Sequence, residues 1–208
     1  MRPMLATALP LSDDYPRPPR RGGFARSRLP VGAFAFAAVV AACTWFSIQT
    51  TRFEGGVTVV WIVNGLLTGT LLLSPRSSWR WWFAAAAIGQ TAGRLAHGDT
   101  WWLTLAMVAV NLLESAIVAN SVRGRTASLG QDRSIGWMAR DALIATLVAC
   151  AVSASIAAPL LASRVATTLS TTWLTWYAAH LTGMVIVATL TVCALQPKVG
   201  LFGRRGKR

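Results

Sequence analysis

Charge is scarce in this chain, and acid is scarcer than base. Only 13% of its 208 residues are Asp, Glu, Lys or Arg, and only seven are acidic. Soluble proteins carry about twice that share, so the composition leaves no room for a separate soluble domain. Histidine occurs twice, as His97 and His180, and cysteine three times, as Cys43, Cys150 and Cys193, at no ligand-like spacing. A metal site is therefore not expected, and the cysteines read as packing residues inside apolar runs. Nor does the sequence contain a Gly-rich phosphate loop, paired carboxylates, H-E-x-x-H or G-x-S-x-G. Without such chemistry-bearing patterns, neither enzymatic activity nor a cofactor is expected.

Apolar sequence fills the space. Hydrophobic residues make up 54% of the chain, and mean hydropathy is +0.49. A bilayer crossing takes about 20 residues as a helix, so this length accommodates about six. The pattern predicts an all-α integral membrane protein with spans near Leu29–Ile48, Val57–Ser74, Trp79–Leu95, Thr100–Val122, Ala139–Ala162 and Thr171–Leu195. The third is the shortest. Trp79, Trp81 and Trp82, then Trp101 and Trp102, then Trp173 and Trp176 lie at span ends, where interfacial aromatic belts form. Asp141 sits where it would cap the start of the fifth span.

The net charge of +13 raises nucleic-acid binding as a reading, but the placement of the cations argues against it. Seventeen Lys and Arg fall in the N-terminal tail, the 75–80 turn, the 123–140 loop and the C-terminal tail; the alternate loops hold only Arg52, Arg94 and Arg164. That asymmetry predicts six helices with both termini cytoplasmic. Residues 1–28, rich in Pro and Arg, read as a disordered basic tail that touches anionic lipid, residues 29–196 as the transmembrane domain, and 197–208 as a short basic tail. The expected partner is the lipid bilayer rather than nucleic acid, with self-association left open.

A few polar residues interrupt the apolar runs. They are Asn64, Gln90, Asn111, Glu114 and His180. A carboxylate near a helix centre costs about 2.5–3.5 kcal/mol on insertion scales, so such residues take partners or serve a function. Asn111 and Glu114, three apart, share a helix face, and Trp173, Trp176, His180 and Gly183 form one stripe. The expected site is a small cavity lined by Asn64, Gln90, Asn111 and His180 beside Trp61 and Trp176. Glu114 is expected beneath it, nearer the cytoplasm. The bland reading has the amides as interhelical glue worth about 0.6–2 kcal/mol each. Gly65-x-x-x-Gly69 and Gly89-x-x-x-Gly93, together with Gly183, are candidates for close helix packing.

The run Trp61-Ile-Val-Asn64-Gly65, the Trp-rich start of the third span, Asn111-Leu-Leu-Glu114, a basic loop, and Trp173-x-x-Trp176 followed by Gly183 resemble the first class of membrane-associated sensor (MASE) domains of bacterial signalling proteins. The likeness covers roughly residues 50–195. Ile62 stands where such sequences often carry proline, His180 where an acidic residue is expected, and no proline follows Gly183. The family generally has about eight spans, two more than are counted here.

The resemblance implies a non-catalytic sensory input module in the bacterial inner membrane. Such domains usually precede a histidine-kinase or diguanylate-cyclase output domain, which does not follow here. A free-standing module, a partner for a separately encoded kinase or cyclase, and a truncated sensor all remain open. The rival readings are the solute-binding subunit of an energy-coupling-factor importer, docking through the ladder Ala33, Ala37 and Ala41, and a structural protein without ligand.

Overall fold

A computed structural model of the chain describes residues 29–51, 58–128, 135–164 and 167–195. The proposed tails and residues 129–134 of the basic 123–140 loop lie outside the described residues. The described residues form six α-helices: α1 (Leu29–Thr51), α2 (Val63–Leu73), α3 (Trp79–Ala96), α4 (Trp101–Ser128), α5 (Ile135–Ala162) and α6 (Leu169–Leu195). Four of them, α1, α4, α5 and α6, are long and apolar enough to cross a membrane. α1 lies on α3, α5 lies against both α4 and α6, and α2 sits among α6, α4 and α3.

The second apolar run does not become one long helix. Only 11 residues of it are helical, about 16 Å at 1.5 Å per residue, roughly half the thickness of the hydrocarbon core. The stretch from Thr58 to Ile62 ahead of α2 is irregular and is anchored to the end of α1, with the Val59 N–H donating to the Thr51 carbonyl at 3.1 Å. Irregular backbone is tolerated at membrane depth only where protein encloses it. Trp61, at 1% exposed, and Thr58 are enclosed by the bundle, while Val59 and Val60 between them are exposed. Eight residues of α2 are buried as well, so the shortest helix is the most enclosed.

Both glycine pairs are used inside the bundle. Gly65 and Gly69 let α2 sit on α6, where added Cβ atoms would strike Val187 and Thr191, while Gly89 and Gly93 lie against Val40 and Thr44 of α1. The carbonyls of Ala37 and Ala41 press on Gly89 and Gly93. Two rungs of the alanine ladder that the importer reading assigned to a partner are thus occupied by α3.

Gly183 is the tightest of these contacts, because a Cβ there would run into the carbonyl of Trp61. Only a residue without a side chain lets the irregular segment lie on α6. The turn between α3 and α4 is made by Gly98 at φ +90°, a conformation that costs glycine little.

Two expectations need correction. Asp141 does not cap α5, because the helix already begins at Ile135; the apolar residues before Asp141 extend it by more than a turn, and Asp141 is buried within it. Trp79 and Trp176 do not stand in an aromatic belt. Both are buried, the Trp79 indole donating to the Leu71 carbonyl at 3.0 Å. Trp101 and Trp81 are exposed, as belt residues should be.

Gly183→Ala should destabilise the protein by about 1–3 kcal/mol, because the clash is with backbone that cannot rotate away. Gly32→Ala serves as the control, since its Cβ would meet only the tip of Trp82 at 3.6 Å and should shift stability by less than about 0.5 kcal/mol. Thermal unfolding of the two variants in one detergent measures the difference.

Candidate functional site

Midway along the 28-residue α4, Glu114 is completely buried. A carboxylate there offers about four lone-pair positions, and each one left empty in an apolar surrounding costs free energy. Neighbouring helices fill them. The Asn64 amide on α2 donates to Oε1 at 3.1 Å, and the Ser153 hydroxyl on α5 donates to Oε2 at 2.5 Å. His180 Nδ1 on α6 lies 2.8 Å from Oε2, and the Cys150 thiol approaches Oε1 at 3.8 Å. Four helices converge on one side chain.

The network extends outward from there. Asn64 Oδ1 accepts the Trp61 indole N–H at 3.1 Å, and Asn64 Nδ2 faces Asn111 Oδ1 at 3.5 Å. Asn111 donates to Gln90 Oε1 at 2.6 Å, bringing in α3. The Trp176 indole donates to Ser153 Oγ at 3.2 Å. The imidazole of His180 lies between two indoles, stacked on Trp176 at 4.2 Å between centroids and on Trp61 at 5.9 Å. With Nδ1 taken by Glu114, the aromatic walls and one carboxylate fix the ring.

All seven side chains expected at the site are therefore joined in one network, but its form differs from expectation. Asn64, Gln90 and Asn111 do not line a cavity, and His180 borders only a very small one. The four bond directly to one another or through Glu114. The carboxylate lies level with His180 rather than beneath it.

A cavity of about 10 Å³ at the cluster is bordered by Thr58, Trp61, Arg94, Met107, Leu161, Trp176 and His180. That is about the volume of one water molecule. Arg94 closes this side: it is buried, bonds Asp99 at 3.0 Å, and holds its guanidinium 5.1 Å from the Trp61 ring centre.

Sequence reading missed three contributors. Ser153 and Cys150 are small residues of kinds common in membrane helices, and no pattern distinguishes them from their neighbours. Arg94 was read only as an orienting charge.

His180 paired with Glu114 is a proton-transferring arrangement in principle, and the hydroxyl of Ser153 and the thiol of Cys150 lie against the same carboxylate. No group of three or more His, Cys, Asp or Glu residues that could hold a metal ion occurs among the described residues.

A helical membrane protein with a buried acid–imidazole pair at its centre is the class that fold and site define. The family model for MASE1, a membrane-associated sensor domain, matches residues 31–206. The chain belongs to the MASE1 family. No curated protein and no solved structure matches it.

Ser153→Ala removes two partners at once, the donor to Glu114 and the acceptor for Trp176. It should cost about 1.5–3 kcal/mol, the range for a hydrogen bond to a charged group. Val148→Ala, on the exposed face of α5, removes no hydrogen bond and should cost less than about 0.5 kcal/mol. Chemical or thermal unfolding in detergent compares the pair.

Proposed function

We propose that this chain is the input module of a bacterial signalling system, seated in the inner membrane and without catalytic activity of its own. Six crossings place both tails in the cytoplasm. α2 completes its crossing with the irregular stretch before it, and α3 crosses with basic residues at both ends. The observation that carries the reading is the buried Glu114–His180 pair held between Trp61 and Trp176. Ionisable residues inside a membrane bundle mark functional pathways by default. A stimulus that alters the pair, whether a small polar ligand, a cation or a proton, changes what holds α2, α4, α5 and α6 together. Signalling requires that the stimulus favour one packing over another.

The output lies on a histidine kinase or diguanylate cyclase, separately encoded or continuous with this domain, and it reads the basic cytoplasmic surface. The topology follows the cation asymmetry: Arg76, Arg80 and Arg123 stack on Trp79 and Trp81 at one end, and the described cations of the other end are Arg94 and Arg164, each over a tryptophan.

Two experiments test the proposal. In a background with Cys43 and Cys193 replaced by serine, His97→Cys should react with an impermeant maleimide from outside. Ser77→Cys should react only after permeabilisation; the reverse pattern would invert the topology. Crosslinking from native membranes, with partners identified by mass spectrometry, should recover a kinase or cyclase whose activity in co-reconstituted vesicles changes several-fold with His180→Gln or Glu114→Gln. Recovery of an importer ATPase, or an output indifferent to both substitutions, would overturn the assignment.

A further inference from the structure

A second and much larger cavity, about 410 Å³, lies among α2, α4, α5 and α6 at the end of the bundle near the basic turn. Its volume is that of small-molecule sites in general, which run about 300–1,000 Å³. None of its 14 lining residues is charged, and most are Ala, Val, Leu or Met. Leu143 on α5 and Val185 on α6 line it and are both largely exposed, so the space communicates with the lipid-facing surface between those two helices.

One wall residue does not fit an apolar space. Thr68 is fully buried, yet its hydroxyl has no hydrogen-bond partner among the described residues. Threonines inside helices normally give their proton to the carbonyl four residues back, and several here do so, whereas Thr68, Thr44 and Thr104 have no partner among the described residues, and of these three Thr68 is the one that lines the cavity. Thr70 donates to Leu66, Thr146 to Ala142, Thr189 to Val185 and Thr191 to Val187, at 2.7–2.8 Å. Thr68 does not donate to Asn64, whose carbonyl instead receives the Ser115 hydroxyl at 3.4 Å. A buried unmade hydrogen bond is unfavourable, and an acceptor brought in by a ligand would make it.

We propose that this cavity binds a neutral, membrane-soluble carbonyl compound whose oxygen accepts the Thr68 proton and whose apolar body fills the space toward Leu143 and Val185. Neutrality follows from the lining, which offers no counter-charge. An apolar body follows from the surrounding side chains, and an acceptor oxygen from the hydroxyl. The site is independent of whatever acts on the Glu114–His180 pair, but it is coupled to it by position. Thr68 is one helical turn from Asn64, Val118 one turn from Glu114, Thr146 one turn from Cys150, and Met184 one turn from His180. Filling the cavity therefore bears on the four helices that the carboxylate joins.

Benzophenone supplies a direct test, being a neutral apolar ketone that inserts into nearby C–H bonds on irradiation. The full chain, in detergent and in phospholipid nanodiscs, is irradiated with it and the labelled residues are mapped by mass spectrometry. Saturable labelling of Leu143, Met184 or Val185 is expected in both settings. Thr68→Val should weaken it about fivefold, the value of one hydrogen bond, with a thermal midpoint that is not lowered, showing that the bundle is intact. Ala142→Trp, which fills the cavity, should abolish it. Fluorenone should compete about fivefold better than fluorene, the same ring system without the oxygen.

Equal competition by fluorene, or labelling untouched by Thr68→Val, would overturn the carbonyl ligand in favour of a purely apolar occupant. Loss of labelling in nanodiscs alone would assign the space to a lipid chain, and loss with rising protein concentration to a second copy. Label spread evenly over outward residues such as Ile88 and Leu174 would show no site at all.

Discussion

A carboxylate in the middle of a membrane bundle has to be satisfied by protein, because lipid offers it nothing. Glu114 imposes that constraint here, and much of the architecture answers it. Asn64, Ser153 and His180 come from three different helices and reach the same two oxygens. Each is in turn positioned by another polar or aromatic group: Asn64 by the Trp61 indole, Ser153 by Trp176, His180 by the two rings around it. Removing any one of them leaves the others with unpaired groups in a place where water does not compensate. Such a network is either fully made or expensive, which suits an element that must hold one packing until something perturbs it.

Close backbone approach makes this convergence geometrically attainable. An asparagine is short, so α2 must come near α4 and α6 for its amide to reach Glu114. Gly65 and Gly69 bring α2 onto α6, and Gly183 accepts the carbonyl of Trp61 directly against the α6 backbone. The glycine pair of α3 acts in the same way toward α1, leaving Gln90 at the edge of the network, bonded to Asn111. Small residues thus set the distances that the polar residues use.

Much of this was legible in the sequence, because a polar residue in an apolar run stands out. Asn64, Gln90, Asn111, Glu114 and His180 could be grouped without coordinates; Trp176 followed from the helical stripe that it shares with His180, and Trp61 from the run Trp61-Ile-Val-Asn64-Gly65. Three features were hidden for physical reasons. Hydropathy does not distinguish a helix from an enclosed irregular segment, so Thr58–Ile62 read as part of a span. Depth could not be assigned to Glu114, since α4 continues well past the apolar run and thereby moves the residue to mid-helix. Ser153 and Cys150 carry no signal at all, because their importance comes only from which helix α4 meets. The family match over residues 31–206 agrees with the motif resemblance, including at a chain that carries His180 where an acid is usual.

The most direct test of this account is a double-mutant cycle between Glu114 and His180, measured by unfolding in a lipid–detergent mixture. Glu114→Leu and His180→Phe each leave a buried polar partner unpaired, whereas the double variant removes both. The network predicts that the double variant loses less than the two singles together, by about 1–3 kcal/mol. Additivity within about 0.5 kcal/mol would mean that the pair does not act as a unit, and the claim that the bundle is organised around Glu114 would fail.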